Sequence, residues 1–277
     1  MRSGILAAAF AILVPIPVFA DNTWDDLRAE IFGDAVPVVS ADVVGLDVPY
    51  RTYEDPRTEI GATITAPFGE FIKSVQLIID DNPMPVAAVF DLAEPQRVFS
   101  FSGTMRINGP SMVRVVATMN DGKLYMQESF VKTSGVGACA APPGTDPVEA
   151  LATLGTMNFL LLPDQADGKS ILASLKSTSD AEPATADTRT AQLDIDHPSH
   201  SGMQMDQITL LFIPMRYVET VHVKADDKAL FTLTGSISLS ENPAIKFEIP
   251  QDSVGVGVKM TDTEGATFEE TFTLQGG

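Results

Sequence analysis

The feature that most constrains the fold is a succession of short apolar runs separated at close intervals by turn residues. Strand-type runs occupy 59–65, 72–79, 84–92, 97–107, 111–119 and 123–132. Asp80-Asp81-Asn82-Pro83, Asn108-Gly109-Pro110 and Asn120-Asp121-Gly122 interrupt them with residues that favour turns over continued pairing. A second series covers 192–196, 218–224, 229–235, 245–249, 255–261 and 267–274. Ala225-Asp226-Asp227-Lys228 and Asp262-Thr263-Glu264-Gly265 serve as turns within it. No helical pattern of comparable length competes, so the spacing predicts an all-β chain of two immunoglobulin-like β-sandwiches.

Two short helices complete the pattern. Trp24, Leu27 and Ile31 fall at i, i+3 and i+7, which gives 21–32 one apolar face. Asp146-Pro147-Val148-Glu149 has a cap residue, proline at the first helical position and glutamate in the first turn, and opens a short helix. A strand is expected at 156–162, followed by a long polar surface loop over 163–190.

The first twenty residues read as a Sec-type export signal. Arg2 supplies the positive start, 5–14 the apolar run and Val18-Phe19-Ala20 a small-residue cleavage site, with cleavage after Ala20. The expected location is therefore the periplasm. The chain carries 37 acidic against 18 basic residues, a net charge of −19. Phosphate backbones and anionic membrane surfaces both require a Lys/Arg face, so the balance excludes nucleic acid and membrane as expected partners. An acidic surface suits solubility and steering to a basic protein.

Among 277 residues there is one cysteine, Cys139. An exported protein normally pairs its thiols, so a leftover thiol is either a buried small hydrophobe or a group that reacts with something external. Its neighbourhood, Gly135-Val136-Gly137-Ala138-Cys139-Ala140-Ala141-Pro142-Pro143-Gly144, holds few side chains that could anchor it in a core. The expectation is an exposed, mobile segment in which Gly135, Gly137, Ala138, Ala140 and Gly144 supply flexibility. No Lys, Arg or His lies within six residues, so nothing local lowers the thiol pKa.

A second cluster, His197 to Met205, places His197, His200, Met203 and Met205 within nine residues. Soft ligands of this kind can hold Cu(I), so a periplasmic copper-binding protein is one alternative. The plainer reading makes His197-Pro198 and Gly202 structural and packs the methionines between sheets. His222 alternates outward on a strand. The motifs G-x-S-x-G, H-E-x-x-H and the P-loop are absent, and no enzyme activity or cofactor is expected, although an unrecognised enzyme stays open as a class.

His197-Pro198, Ser201-Gly202, Ile213-Pro214, Tyr217-Val218, Val221, Ser240-Glu241-Asn242-Pro243 and the hairpin at 258–265 together resemble the SoxZ subunit of bacterial sulfur oxidation. The first half is similar to its partner SoxY, which carries sulfur intermediates covalently on a glycine-flanked cysteine. Single chains with both halves resemble the quinoprotein dehydrogenase-associated SoxYZ-like carriers. The resemblance implies a signal peptide at 1–20, a SoxY-like sandwich at 21–134, a carrier-cysteine segment with a short helix at 135–155, and a SoxZ-like sandwich at 156–277. It implies that Cys139 is the covalent carrier and that the partners are periplasmic redox enzymes, Sox-type or quinoprotein dehydrogenase. It departs from the family at the arm: the family cysteine sits in Gly-Gly-Cys-Gly-Gly at a free C-terminus, whereas Cys139 is internal and flanked by Ala138 and Ala140. A non-catalytic interaction module for an exported dehydrogenase is the remaining alternative. The oligomeric state does not follow from the sequence.

Overall fold

In the computed structural model, residues 23–135, 137–145, 147–163 and 188–274 are described. The export-signal reading of 1–20 and most of the 163–190 loop fall outside these residues. The last three positions assigned to that loop begin a strand, because Thr188–Ile195 pairs along its whole length with neighbours in a sheet.

The chain divides into a short N-terminal unit up to Asp34 and a large unit, Ala35–Gly277. The first contains helix α1 (Thr23–Phe32), closed by Gly33 in a left-handed conformation with its N–H on the Ala29 carbonyl at 3.0 Å. The second is all-β apart from a 3-10 turn at Asp55–Arg57 and helix α2 (Pro147–Ala152).

Its strands are β1 (Val38–Val39), β2 (Val44–Asp47), β3 (Thr58–Thr65), β4 (Ile72–Ile79), β5 (Val86–Gln96), β6 (Val98–Met105), β7 (Ser111–Met119), β8 (Leu124–Val131), β9 (Met157–Leu161), β10 (Thr188–Ile195), β11 (Val218–Ala225), β12 (Lys228–Gly235), β13 (Ala244–Pro250), β14 (Gly255–Asp262) and β15 (Thr267–Thr273). Every run predicted from the sequence is a strand, with ends that move by a few residues. Only the short β1 and β2 had no sequence signal. The β11–β12 hairpin turns on Asp226 and Asp227, both at positive φ, a two-residue geometry that matches the twist of the flanking strands.

The strands form two sheets, ordered β1-β8-β7-β4-β5-β12-β11-β14-β15 and β2-β3-β6-β13-β10-β9. Each half of the chain is an immunoglobulin-like sandwich that contributes one part of each sheet. The halves join edge to edge in both layers. In the larger sheet β5 pairs antiparallel with β12, Phe90 opposite Leu233. In the smaller, β6 pairs with β13, Gly103 opposite Ile245. Two pairs of edges that would otherwise expose unpaired N–H and C=O groups satisfy one another. The core is continuous across the seam: the Phe231 ring lies 5.7 Å from Phe90 and 5.1 Å from Phe247, centroid to centroid. The outermost β15 is mostly polar, with Glu269 and Glu270, which suits an unpaired edge.

Candidate functional site

The seam also determines where the cysteine segment goes. The β6–β7 connection, Arg106 to Pro110, meets the β12–β13 connection, Ser236 to Pro243. The Arg106 N–H donates to the Ser238 carbonyl at 2.7 Å, and the Asn82 amide donates to both the Arg106 carbonyl and the Ser238 hydroxyl at 2.8 Å. Asn82 Oδ1 in turn accepts the Asn108 N–H at 2.9 Å. This network orients two side chains toward the segment that follows β8: the Asn108 carboxamide and the Arg106 guanidinium.

That segment is folded down and held at both ends. At its start the Asp55 carboxylate accepts the Ser134 N–H at 2.9 Å and the hydroxyls of Ser134 and Thr52. Burial opposes the charged form of Asp55, but these hydrogen bonds outweigh it and hold the carboxyl below its ordinary range. At its end the Glu241 carboxylate accepts the N–H groups of Gly144 and Thr145 at 2.8 and 2.9 Å. Arg57 donates to the carbonyls of Glu241 and Asn242, both at 2.7 Å. Between these clamps the chain makes a tight turn, in which Ala140 and Ala141 both donate to the Gly137 carbonyl at 3.1 Å. Gly135 and Gly137 have φ of +85° and +78°, which side-chain-bearing residues rarely adopt, so these glycines give the turn its shape.

Cys139 sits on this turn, and the structure corrects the expectation of an exposed thiol. Its relative exposure is 0%, and Ala138 is at 1%. The Cys139 N–H donates to Asn108 Oδ1 at 3.1 Å, the Ser201 hydroxyl donates to the Cys139 carbonyl, and the Gln204 amide donates to the Ala141 carbonyl at 3.1 Å. The physical reason is that small side chains let backbone pack on backbone. Ala and Gly leave the N–H and C=O groups accessible, and polar side chains from both halves satisfy them. Of the residues assigned to flexibility, Ala138 is buried and Gly137 half-buried, whereas Gly135, Ala140 and Gly144 are exposed, with Gly135 and Gly137 shaping the turn and the Gly144 N–H held by Glu241.

Burial pushes the Cys139 thiol pKa up, and the Arg106 charge partly offsets it. Sequence proximity found no cation; the fold brings one from 33 positions upstream. Arg106 itself is 2% exposed, and its Nη1 donates to the carbonyls of Ile237 at 3.1 Å and Leu239 at 2.5 Å. A cavity of about 360 Å³ adjoins the turn, lined by Ala138, Ala141 and Pro142 of the segment together with Arg57, Arg106 and Gln204.

The His/Met cluster is divided between different tasks. His197 is fully buried; its Nδ1 accepts the Ser199 N–H at 2.9 Å and its Nε2 lies 3.6 Å from Asp262 Oδ2. Desolvation lowers its pKa to about 4. Asp262 is held by Arg216 at 2.8 Å. His200 instead faces the Gln204 carboxamide at 3.2 Å. Met205 and Met215 are exposed, so these two do not pack between the sheets, because they lie on the loop connecting β10 to β11. Among the described residues no group of three or more His, Cys, Asp or Glu side chains stands close enough to hold a metal. His222 is outward on β11 with Thr232 at 2.9 Å.

Site residues beyond the reach of sequence reasoning are Asp55, Arg106, Asn108 and Glu241, with Ser201 and Gln204. Their only sequence signal was membership in turn or loop strings such as Asn108-Gly109-Pro110 and Ser240-Glu241-Asn242-Pro243.

The fold and this arrangement define a two-part chain in which the cysteine segment follows the first sandwich and docks on contacts from both. The family described as sulfur oxidation protein SoxY matches residues 28–139, ending on Cys139, and the family described as sulphur oxidation protein SoxZ matches 178–273. The chain is a fused SoxYZ-like protein, a SoxY domain followed by a SoxZ domain. Similar solved structures include the sulfur carrier protein SoxY from Chlorobium limicola f thiosulfatophilum, at 23% identity over 40% of this chain and 90% of that one, with a TM-score of 0.35. They also include a superoxide reductase (neelaredoxin) from Ignicoccus hospitalis, at 12% identity over 33% of this chain and 80% of that one, with a TM-score of 0.28. No curated protein matches the sequence.

Proposed function

We propose that the protein is an exported, non-enzymatic carrier in sulfur oxidation that bears a sulfur intermediate covalently on Cys139 and presents it to periplasmic redox enzymes. The observation that carries this reading is the placement of the single thiol on a narrow Gly/Ala/Pro turn held from outside by hydrogen bonds. A carrier needs a sulfur that one protein can hold and another can reach. The docked turn meets the first need, and local opening meets the second. The segment adds little large apolar surface to the core, so its release costs less than global unfolding. Once the clamps at Asp55 and Glu241 open, a half-tether extends roughly 20 Å at 3.3–3.6 Å per residue. The name of the SoxY relative as a sulfur carrier protein and the apolar run at the start of the chain support the same reading. Quinoprotein dehydrogenases are the finer expectation for partners, alongside Sox-type enzymes.

The test is the intact mass of protein isolated gently from its native source. A sulfur adduct that reductant removes, and that Cys139→Ser abolishes, is the expected result. An unmodified thiol under conditions of active sulfur oxidation would count against the carrier role.

A further inference from the structure

The connection between β10 and β11 forms an irregular hairpin. His200 bridges to Arg216 and Met205 to Phe212, and the Ile213 N–H donates to the Gln204 carbonyl at 2.8 Å. At the tip, Asp206 Oδ1 accepts the N–H groups of Ile208 and Thr209 and the Thr209 hydroxyl, and the Leu210 N–H donates to the Asp206 carbonyl at 2.9 Å. This bonding uses no side chain of the tip beyond Asp206 and Thr209. Yet the tip projects Ile208 at 92% exposure, Leu211 at 69%, and Leu210 and Phe212 at 67%. Leu210 has φ of +58°, a left-handed backbone in which a glycine would avoid the strain that leucine incurs. Single exposed apolar residues are ordinary, but four neighbouring ones on one projection mark a contact surface.

The base of the same hairpin holds the cysteine turn, since the Ser201 hydroxyl donates to the Cys139 carbonyl and the Gln204 amide to the Ala141 carbonyl at 3.1 Å. Leu210 lies six positions beyond Gln204, so the tip stands no more than roughly 20 Å from the turn at 3.3–3.6 Å per residue. That span matches the reach of the released half-tether. Charge then selects the occupant. From Ser201 to Met215 the sole charged residue is Asp206, and Arg216 beyond it is already paired with Asp262 and Glu264. A lipid surface is entered by elements that surround their apolar face with Lys and Arg, and this hairpin has neither at its tip. A second copy would bring another net charge of −19 to the contact. A protein groove with apolar walls and a Lys/Arg rim complements both the tip and the charge of the chain.

We propose that the tip at 208–212 is a docking element that seats in an apolar, basic-rimmed groove of a partner enzyme and places that enzyme beside the cysteine turn. The inference rests on the carrier reading for what the partner does, and it adds where the partner binds and which surface it must have. Docking is separate from chemistry at the thiol, because the tip side chains make contact whether or not the arm is released.

The test titrates the full chain with the purified Sox-type enzyme and quinoprotein dehydrogenase of the same source, each in turn, by isothermal calorimetry. At least one should bind, and Leu211→Ser combined with Phe212→Ser should raise its Kd about tenfold or more, with a thermal melt equal to wild type because both side chains are exposed. The wild-type Kd should also rise between 50 and 300 mM salt, and Cys139→Ser should bind like wild type. If the double variant fails to fold, Ile208→Ser makes the same comparison at the most exposed position. An equal Kd for wild type and variant, or no binding of either enzyme to wild type, overturns the proposal. So does a dimer in sedimentation that the variant disperses, or flotation with phosphatidylcholine vesicles that the variant abolishes, since the occupant is then a second copy or a membrane. An adduct on Cys139 in the native-mass experiment without any effect of the tip keeps the carrier and removes the docking element, whereas a tip-dependent complex without an adduct does the reverse.

Discussion

The backbone N–H of Cys139 donates to the side-chain oxygen of Asn108 at 3.1 Å. Thirty-one residues separate them, and the bond ties the cysteine turn to the β6–β7 connection, which the second half of the chain braces from the far side through Ser238. The position of the thiol therefore depends on the assembly of both halves.

Opening of the arm should be governed by the Glu241 clamp. A hydrogen bond to a charged group contributes about 1.5–3 kcal/mol, and Glu241 makes two to the segment. Glu241→Gln keeps one acceptor oxygen, now uncharged, and sets an NH2 donor against the other N–H, and a loss of about 1.4 kcal/mol raises the open population about tenfold. Native-state labelling of Cys139 by a thiol reagent should accelerate by about that factor while global stability, read by urea melts, changes less. An unchanged labelling rate would mean that the arm does not open at this end.

The thiol itself makes docking sensitive to alkaline pH. Burial raises the folded-state pKa of Cys139, so the folded protein holds the proton more tightly than the unfolded chain. This contribution is fully present below the unfolded thiol value near 8.5 and is lost as pH rises above it. The stability of wild type relative to Cys139→Ser should accordingly decline from about pH 8.5 upward, measured as the difference in urea midpoints. A difference that stays flat to pH 10 would contradict burial of the thiol.

Acid acts through His197. Its pKa is lowered to about 4 from the ordinary 6.5, chiefly by desolvation, so the unfolded chain binds the proton first as pH falls. Stability is fully present above pH 6.5 and is lost between 6.5 and about 4, by an amount on the order of 3 kcal/mol. His200, also lowered by burial, adds in the same direction. His197→Asn keeps an acceptor for the Ser199 N–H and should flatten much of this slope in thermal melts at pH 4, 5 and 6.5.

The shared core should make the two halves of the large unit unfold together. Phe231 contacts Phe90 and Phe99 of the first half and Phe247 of the second. Phe231→Ala should cost about 3–5 kcal/mol and shift one calorimetric transition downward without splitting it. Two separable transitions would indicate that the seam contributes little.

Strand positions were readable in the sequence because alternation and turn chemistry are local. The run 111–119, between Gly109-Pro110 and Asn120-Asp121-Gly122, is strand β7 without adjustment. The short β1 and β2 were not readable, since two to four residues carry no period. The identity of the critical residue was equally local, as a lone cysteine in a Gly/Ala/Pro string is visible at once. Its burial was not. The same small neighbours that make a segment pliable also let its backbone approach Asn108, Ser201 and Gln204, and no local pattern tells a free arm from a docked one. Likewise, two sandwiches could be counted from strand spacing, but the pairing of β5 with β12 and β6 with β13 joins residues more than a hundred positions apart. Only the tertiary structure could place Arg106 by Cys139, because a charge acts through space, and the distance across a fold is unrelated to the distance along the chain.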